Sequence, residues 1–93
     1  MDKTFLSLAE VKAALIAEDV EGFINLGAPN NEYDREAEAI TSALSALSKE
    51  QFTEANIITT IAFVWAKAFN RSRDEIAMRM PAFQHIAEKL LLE

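Results

Sequence analysis

Residues 56–69 read NIITTIAFVWAKAF and form a helix-length run that is apolar on almost every side. Apolar residues recur through it at helical spacing, at Ile58, Ile61, Trp65 and Phe69. A helix that is apolar nearly all round must be covered on more than one face, by its own chain or by a second copy. The run is shorter than the roughly 20 apolar residues that a membrane span needs. We therefore expect no membrane span here, but the central helix of a small helical domain.

Length and composition predict one helical domain over residues 1–93. A chain of 93 residues holds a single hydrophobic core. Its 51% hydrophobic and 26% charged residues are typical of a globular protein rather than a disordered one. Glycine and proline occur only twice each, while Ala and Glu are abundant, which favours helix. We expect an all-α bundle of four main helices and one or two short helices around the central helix at about 49–69.

Three pairs with the Ser-x-x-Glu/Gln spacing of a capping box predict where helices begin, namely Ser7 with Glu10, Ser48 with Gln51 and Ser72 with Glu75. Leu6 would pack on Val11 as a hydrophobic staple before the first helix, which ends near Glu18. Asp19 is an N-cap candidate for a short helix through residues 20–26, and Asp34 for the next main helix.

Pro81 interrupts the last apolar stretch. Proline has no N–H group and disfavours helix in the residue before it, here Met80. The sequence predicts helical segments at about 73–80 and 83–91, and it leaves open whether they form two helices or one kinked helix.

The residue inventory argues against several classes of function. The chain has no Cys and a single histidine, His85, so thiol catalysis, Cys-based zinc sites and paired-imidazole sites are excluded. Gly-rich phosphate loops and Ser nucleophile motifs are missing, and we expect no enzyme and no cofactor. A net charge of −6 argues against nucleic acid as a partner. The N-terminus does not have the pattern of a signal peptide, so we expect a cytoplasmic protein.

Negative charge is concentrated in one stretch. Residues 19–48 carry six acidic residues and one arginine, a net of −5, whereas residues 49–93 carry six acids and six bases. Apolar anchors beside an acidic rim are typical of a protein-binding surface. We therefore predict a non-enzymatic protein-interaction domain that uses residues 19–38. Its predicted partner-binding residues are Phe23, Leu26, Glu32, Tyr33, Asp34 and Glu36.

Two alternatives stay open. The apolar surface of residues 57–69 would also suit a homodimer in which the central or C-terminal helix supplies the interface. The cluster Glu32, Asp34, Glu36 and Glu38 would suit a carboxylate metal site or a small-ligand site, although it lacks the glycine and terminal glutamate of an EF-hand loop. We expect the basic group Lys67, Arg71, Arg73 and Arg79 to face the acidic segment or water.

Several short motifs resemble an uncharacterised family of small bacterial cytoplasmic proteins. They are DVEGFI at 19–24, GAP at 27–29, EYDREAEAI at 32–40 and IAEKLL at 86–91. That family has an Asp-Pro-x-Gly-Leu, Tyr-Asp-x-Glu-Ala and Ile-Ala-x-Lys-Leu-Leu layout, from which Val20 departs where proline is usual. The resemblance implies an all-helical fold and carries no activity, cofactor or site residue. The chain is more loosely similar to immunity proteins that block toxins, which are one concrete form of the predicted interaction domain.

Overall fold

Four helices make up the described part of the chain. The structure is a computed structural model that describes residues 7–29 and 31–92. The helices are α1 (Leu8–Glu18), α2 (Asp34–Ser45), α3 (Glu54–Phe69) and α4 (Arg73–Leu92). These two ranges contain no strand, so the predicted all-α fold class is confirmed. The predicted staple residue Leu6 lies outside the described residues.

The helices form a ring in which each one packs against two others. α1 contacts α2 and α4, and α3 contacts the same two helices, so that α1 and α3 lie diagonally opposite each other. In each helix the buried positions recur three or four residues apart and so form one apolar stripe. That stripe faces the centre of the ring. The largest fully buried aliphatic side chains are Leu15, Ile40, Leu44, Ile57, Ile61, Ile86 and Leu90.

One side of α3 is open to solvent. Ile57, Ile61 and Trp65 are fully buried, whereas Phe63 is 64% exposed. The prediction that residues 57–69 are covered on nearly every side therefore holds only for the buried stripe. The reason is topological: α3 has two helical neighbours, and two neighbours cover only part of its surface.

α3 also begins later than the predicted start near residue 49. The Ser48–Gln51 capping-box hydrogen bonds form at 2.9 and 3.2 Å, but they close a turn that precedes the helix. The true N-cap is Thr53, whose hydroxyl accepts from the N–H of Asn56 at 3.3 Å. The same spacing that marks a capping box can thus close an isolated turn.

The other two capping boxes are confirmed, but the predicted N-cap of α2, Asp34, is one residue too late. Ser7 and Glu10 exchange hydrogen bonds at the start of α1, and Ser72 and Glu75 do so at the start of α4. The N-cap prediction is wrong at α2, where Tyr33 occupies the N-cap position without a side-chain hydrogen bond. Asp34 is the first helical residue, and its carboxylate pairs with Lys12 at 3.1 Å.

The predicted short helix over residues 20–26 is a set of turns. Asp19 does not cap a following helix but ends α1 in the left-handed conformation, with φ 47°. Gly22 and Gly27 adopt φ values of 75° and 108°, which interrupt any helix and which glycine adopts without a side-chain clash.

α4 is one continuous helix with Pro81 inside it. Pro81 and Ala77, the residue four positions earlier whose carbonyl loses its partner, are both exposed, so water can reach that carbonyl. Side chains on either side of the proline are fixed to the rest of the bundle, since Arg79 pairs with Glu21 and Phe83 is fully buried. None of the described helices has both the length and the apolar character required to cross a bilayer.

Candidate functional site

Two carboxylates of the acidic segment bind other parts of the chain. The first is Asp19, which accepts hydrogen bonds from the N–H groups of Ile24 and Asn25 at 3.1 and 3.0 Å. It also accepts from the hydroxyl of Tyr33 at 2.6 Å, and that hydroxyl in turn accepts from the N–H of Glu21 at 3.1 Å. The carboxylate therefore fixes the turns between α1 and α2. The hydrogen bond from Tyr33 is the main cause of the lowered pKa of Asp19.

Tyr33 lies in the centre of an aromatic cluster and is fully buried. Its ring lies 6.0 Å from that of Phe23 and 5.7 Å from that of Trp65, centroid to centroid. Trp65 continues the cluster to Phe69 and Phe83, at 5.0 and 5.8 Å. Burial and the hydrogen bond to Asp19 raise the pKa of Tyr33 to about 12, so its hydroxyl stays protonated at neutral pH.

The second of these carboxylates is Glu21, which is buried, with its side chain only 3% exposed. Arg79 approaches it as a fork, with Nε 2.6 Å from Oε2 and Nη2 3.0 Å from Oε1. Arg71 Nη2 lies 2.5 Å from Oε1, and Trp65 Nε1 donates to Oε2 at 2.7 Å. One carboxylate thus joins the loop after α1 to α3, to the α3–α4 connection and to α4.

The arginines decide the charge state of Glu21. Burial alone would raise the pKa of this carboxyl, but the hydrogen bonds from Arg79, Trp65 and Arg71 outweigh it and lower the pKa to about 2. A bidentate Arg–carboxylate pair is among the strongest hydrogen-bonded arrangements available to side chains. Two members of the predicted basic group, Arg71 and Arg79, therefore face the acidic segment within the fold.

Three of the predicted partner-binding residues lie partly or wholly inside the protein. Tyr33 is fully buried and cannot serve as a surface anchor, so this prediction is wrong. Phe23 is half-buried because its ring packs on Tyr33 and Phe69. Glu36 is 9% exposed and lies between α2 and α3 rather than on an acidic rim.

The other three predicted residues reach solvent. Leu26 is 82% exposed at the outer side of the α1–α2 loop, and Glu32 is exposed later in the same loop. Asp34 is half-exposed, and part of its charge is compensated by Lys12. The loop therefore offers one apolar side chain together with an acidic one, a smaller surface than the sequence predicts.

The acidic cluster does not gather into a metal site. In residues 7–29 and 31–92, no group of three or more His, Asp or Glu side chains is placed to hold a metal ion. His85 is 61% exposed, and its Nδ1 lies 3.1 Å from Oε1 of Glu18. His85 and Glu18 therefore form a pair at the surface.

A groove of about 450 Å³ runs between α2 and α3. Ala39, Val64 and Ala68 form its apolar lining, and the exposed ring of Phe63 stands at its edge. Two cations also line it, Arg35 on α2 and Lys67 on α3. The ammonium of Lys67 lies 5.1 Å from the centre of the Phe63 ring, a cation–π distance.

Glu36 places a carboxyl in the same groove. Burial is the main cause of its raised pKa, and the nearby charge of Glu32 acts in the same direction. Arg35 acts in the opposite direction but does not outweigh them. The groove thus combines an apolar surface, two cations and one carboxyl whose neutral form is favoured by its surroundings.

Of the residues that line this groove, only Glu36 is among the predicted partner-binding residues. Phe63 belongs to the apolar run that is predicted to be covered on more than one face, and Lys67 belongs to the basic group that is predicted to face the acidic segment or water. One signal was available: Phe63 and Lys67 lie four residues apart, on one face of a helix, away from Ile61 and Trp65.

Comparison of the chain with protein-family models, with curated proteins and with solved structures returned no match. The resemblance based on the 19–40 and 86–91 motifs therefore stays a prediction.

Proposed function

We propose that this chain is a small non-enzymatic protein-interaction domain whose contact surface is the outer side of the α1–α2 loop. The observation that supports the proposal is Leu26, a large apolar side chain that is 82% exposed on a loop whose backbone is hydrogen-bonded to Asp19. Its neighbours Ile24 and Asn25 supply two of those hydrogen bonds.

A loop of this kind is suited to binding because it is ordered beforehand. Ordering a mobile loop on association costs free energy that is subtracted from affinity. The hydrogen bonds to Asp19 and the aromatic contacts of Phe23 incur that cost during folding instead. Leu26 is therefore presented as a fixed anchor.

The charge around the anchor favours a basic partner. Glu32 in the loop and Glu38 on α2 are exposed acids, and an acidic rim speeds encounter with a basic protein surface. A toxin-neutralising immunity protein, which covers a basic nuclease, is the concrete form of this proposal.

Capture of partners from a native lysate tests the proposal. We expect the double substitution Leu26→Asp, Glu32→Lys to abolish recovery of a partner that the unsubstituted protein captures. The matched control is Leu91→Asp, Glu88→Lys on α4, which changes one exposed leucine and one exposed acid elsewhere. Equal recovery with the loop variant and the control variant would refute the assigned surface, provided that both retain helical circular dichroism.

A homodimer is the second candidate function, and the exposed ring of Phe63 on α3 favours it. Exposed aromatic side chains are common anchors of protein interfaces. Sedimentation over a wide concentration range measures self-association, and Phe63→Ser is expected to weaken it if α3 supplies the interface. A strict monomer at all concentrations would remove this candidate.

A further inference from the structure

The α2–α3 groove has features that the proposed interaction domain does not use. It lies between two helices rather than at the α1–α2 loop, and its volume of about 450 Å³ is within the range of small-molecule sites. Its lining combines apolar side chains with a few charged ones, as in ligand pockets generally.

Two cations line the groove of this acidic protein. With a net charge of −6, the chain offers many carboxylates, and Lys12, Arg71 and Arg79 each pair with one. Arg35 and Lys67 line the groove without an ion pair to any described residue. Lys67 instead lies against the Phe63 ring, so the groove presents positive charge beside an apolar surface.

We propose that this groove binds a small monocarboxylate with an apolar body, whose carboxylate lies between Arg35 and Lys67 and whose apolar part lies on Ala39, Val64 and Ala68. Charge complementarity selects an anion, and the apolar lining selects an amphipathic one. The carboxyl of Glu36 limits the charge of that anion, because a second negative group would be repelled more strongly than one.

Glu36 also makes the binding depend on pH. A ligand carboxylate in the groove adds a like charge, which favours the protonated form of Glu36. The groups that face Glu36 are Glu32 and Arg35 beside it and Lys67 across the groove. Its pKa is already raised by burial, so binding takes up a proton and becomes tighter as the pH falls below neutral over the range in which the ligand carboxylate stays ionised.

The experiment uses decanoate as the probe, below its micelle concentration, and follows backbone amide shifts by NMR. Decanol and decylammonium are the neutral and cationic controls of equal chain length. We expect decanoate to shift the resonances of residues 35–39 and 63–68, decanol to shift them weakly and decylammonium not to shift them. No shift with decanoate, or an equal shift with decylammonium, would overturn the proposal.

Charge reversal separates a local site from the overall field. Arg35→Glu, Lys67→Glu is expected to weaken decanoate binding about tenfold, the effect of losing two exposed charge contacts. Arg73→Glu, Lys89→Glu changes the net charge equally on α4 and is expected to leave the affinity unchanged. Equal loss in both double variants would contradict a local site.

Glu36→Gln is the second, independent variant. It is expected to tighten decanoate binding at neutral pH and to flatten the pH dependence of the affinity. An unchanged pH dependence would overturn the role of Glu36. Groove resonances that move with protein concentration in the absence of decanoate would assign the groove to a second copy of the chain instead.

Discussion

At the scale of single residues, Glu21 is the side chain on which the arrangement of the helices most depends. Its donors on Trp65, Arg71 and Arg79 lie 44, 50 and 58 residues further along the chain. The sequence predicts that Glu21 lies in an acidic, solvated stretch, because no local pattern identifies these distant donors. The composition predicts that basic side chains pair with the acidic segment, but it does not identify the acid with which they pair.

Removing the charge of Glu21 is expected to destabilise the protein. Glu21→Gln leaves Arg79 without its paired carboxylate and leaves Arg71 with only its longer contact to Glu75, at 3.5 Å. We expect the free energy of unfolding to fall by about 2–3 kcal/mol, below the full cost of breaking a buried pair because the arginines are partly exposed. Urea unfolding measures the change. Glu88→Gln on the exposed side of α4 is the control and is expected to be neutral. Equal stability of the two variants would contradict the role given to Glu21.

The hydroxyl of Tyr33 is expected to stabilise the loop that it joins to α2. Tyr33→Phe removes the donor to Asp19 and the acceptor of the Glu21 N–H, with an expected loss of about 1–2 kcal/mol. The N–H groups of Ile24 and Asn25, which donate to Asp19, should then exchange with deuterium faster. Unchanged exchange at both amides would show that the loop does not depend on this hydroxyl.

At the scale of elements, local signals predicted the starts of α1 and α4 well and the course of the α1–α2 connection poorly. A capping box depends on residues three apart, so the sequence contains the whole of it. The turns of residues 19–27 depend on Tyr33, fourteen residues from Asp19, whose hydroxyl fixes the carboxylate that receives the loop amides. The local sequence of residues 20–26 predicts a short helix instead, because it does not reveal the distant partner Tyr33.

The continuity of α4 depends on contacts on both sides of Pro81. Pro81→Ala restores an N–H opposite the Ala77 carbonyl, and we expect the free energy of unfolding to rise by about 1–2 kcal/mol, less than the intrinsic helix cost of proline because alanine also frees the unfolded chain. Thermal and urea unfolding measure the gain. A less stable alanine variant would indicate that the proline shapes α4 in a way that the bundle requires.

At the scale of the whole molecule, the ring of helices explains why the site was only partly predictable. Helical periodicity identifies the stripe that each helix buries, but it does not say which helices become neighbours. α3 is apolar enough to be surrounded, yet it has two neighbours, so Phe63 and Lys67 line an open groove. Of the predicted partner-binding residues, Leu26 and Glu32 are exposed, Phe23 and Asp34 are half-buried, and Tyr33 and Glu36 are buried.

Two carboxylates give the whole protein opposite responses to acid. The pKa of Glu21 is about 2 in the folded state against an ordinary 4.5, so its stabilisation is present above pH 4.5 and is lost as the pH falls toward 2. This shift corresponds to roughly 3 kcal/mol. The pKa of Glu36 is raised, so its ionised form destabilises the fold at neutral pH and protonation relieves that cost.

Unfolding experiments across this pH range separate the two groups. Glu36→Gln is expected to be more stable than the unsubstituted protein at pH 7 and to lose that advantage in acid. Glu21→Gln is expected to show a shallower loss of stability between pH 4.5 and 2. Parallel pH curves for all three proteins would contradict the assigned roles.

An NMR titration of the side-chain carboxyl carbon of Glu21 measures directly whether this carboxylate is held inside the bundle. Because Arg71, Arg79 and Trp65 bind this acid inside the bundle, we predict that the carboxyl titrates with a pKa of about 2. A carboxyl that titrates near 4.5, as in an unperturbed glutamate, would show that Glu21 lies in water and that the three donors do not hold it.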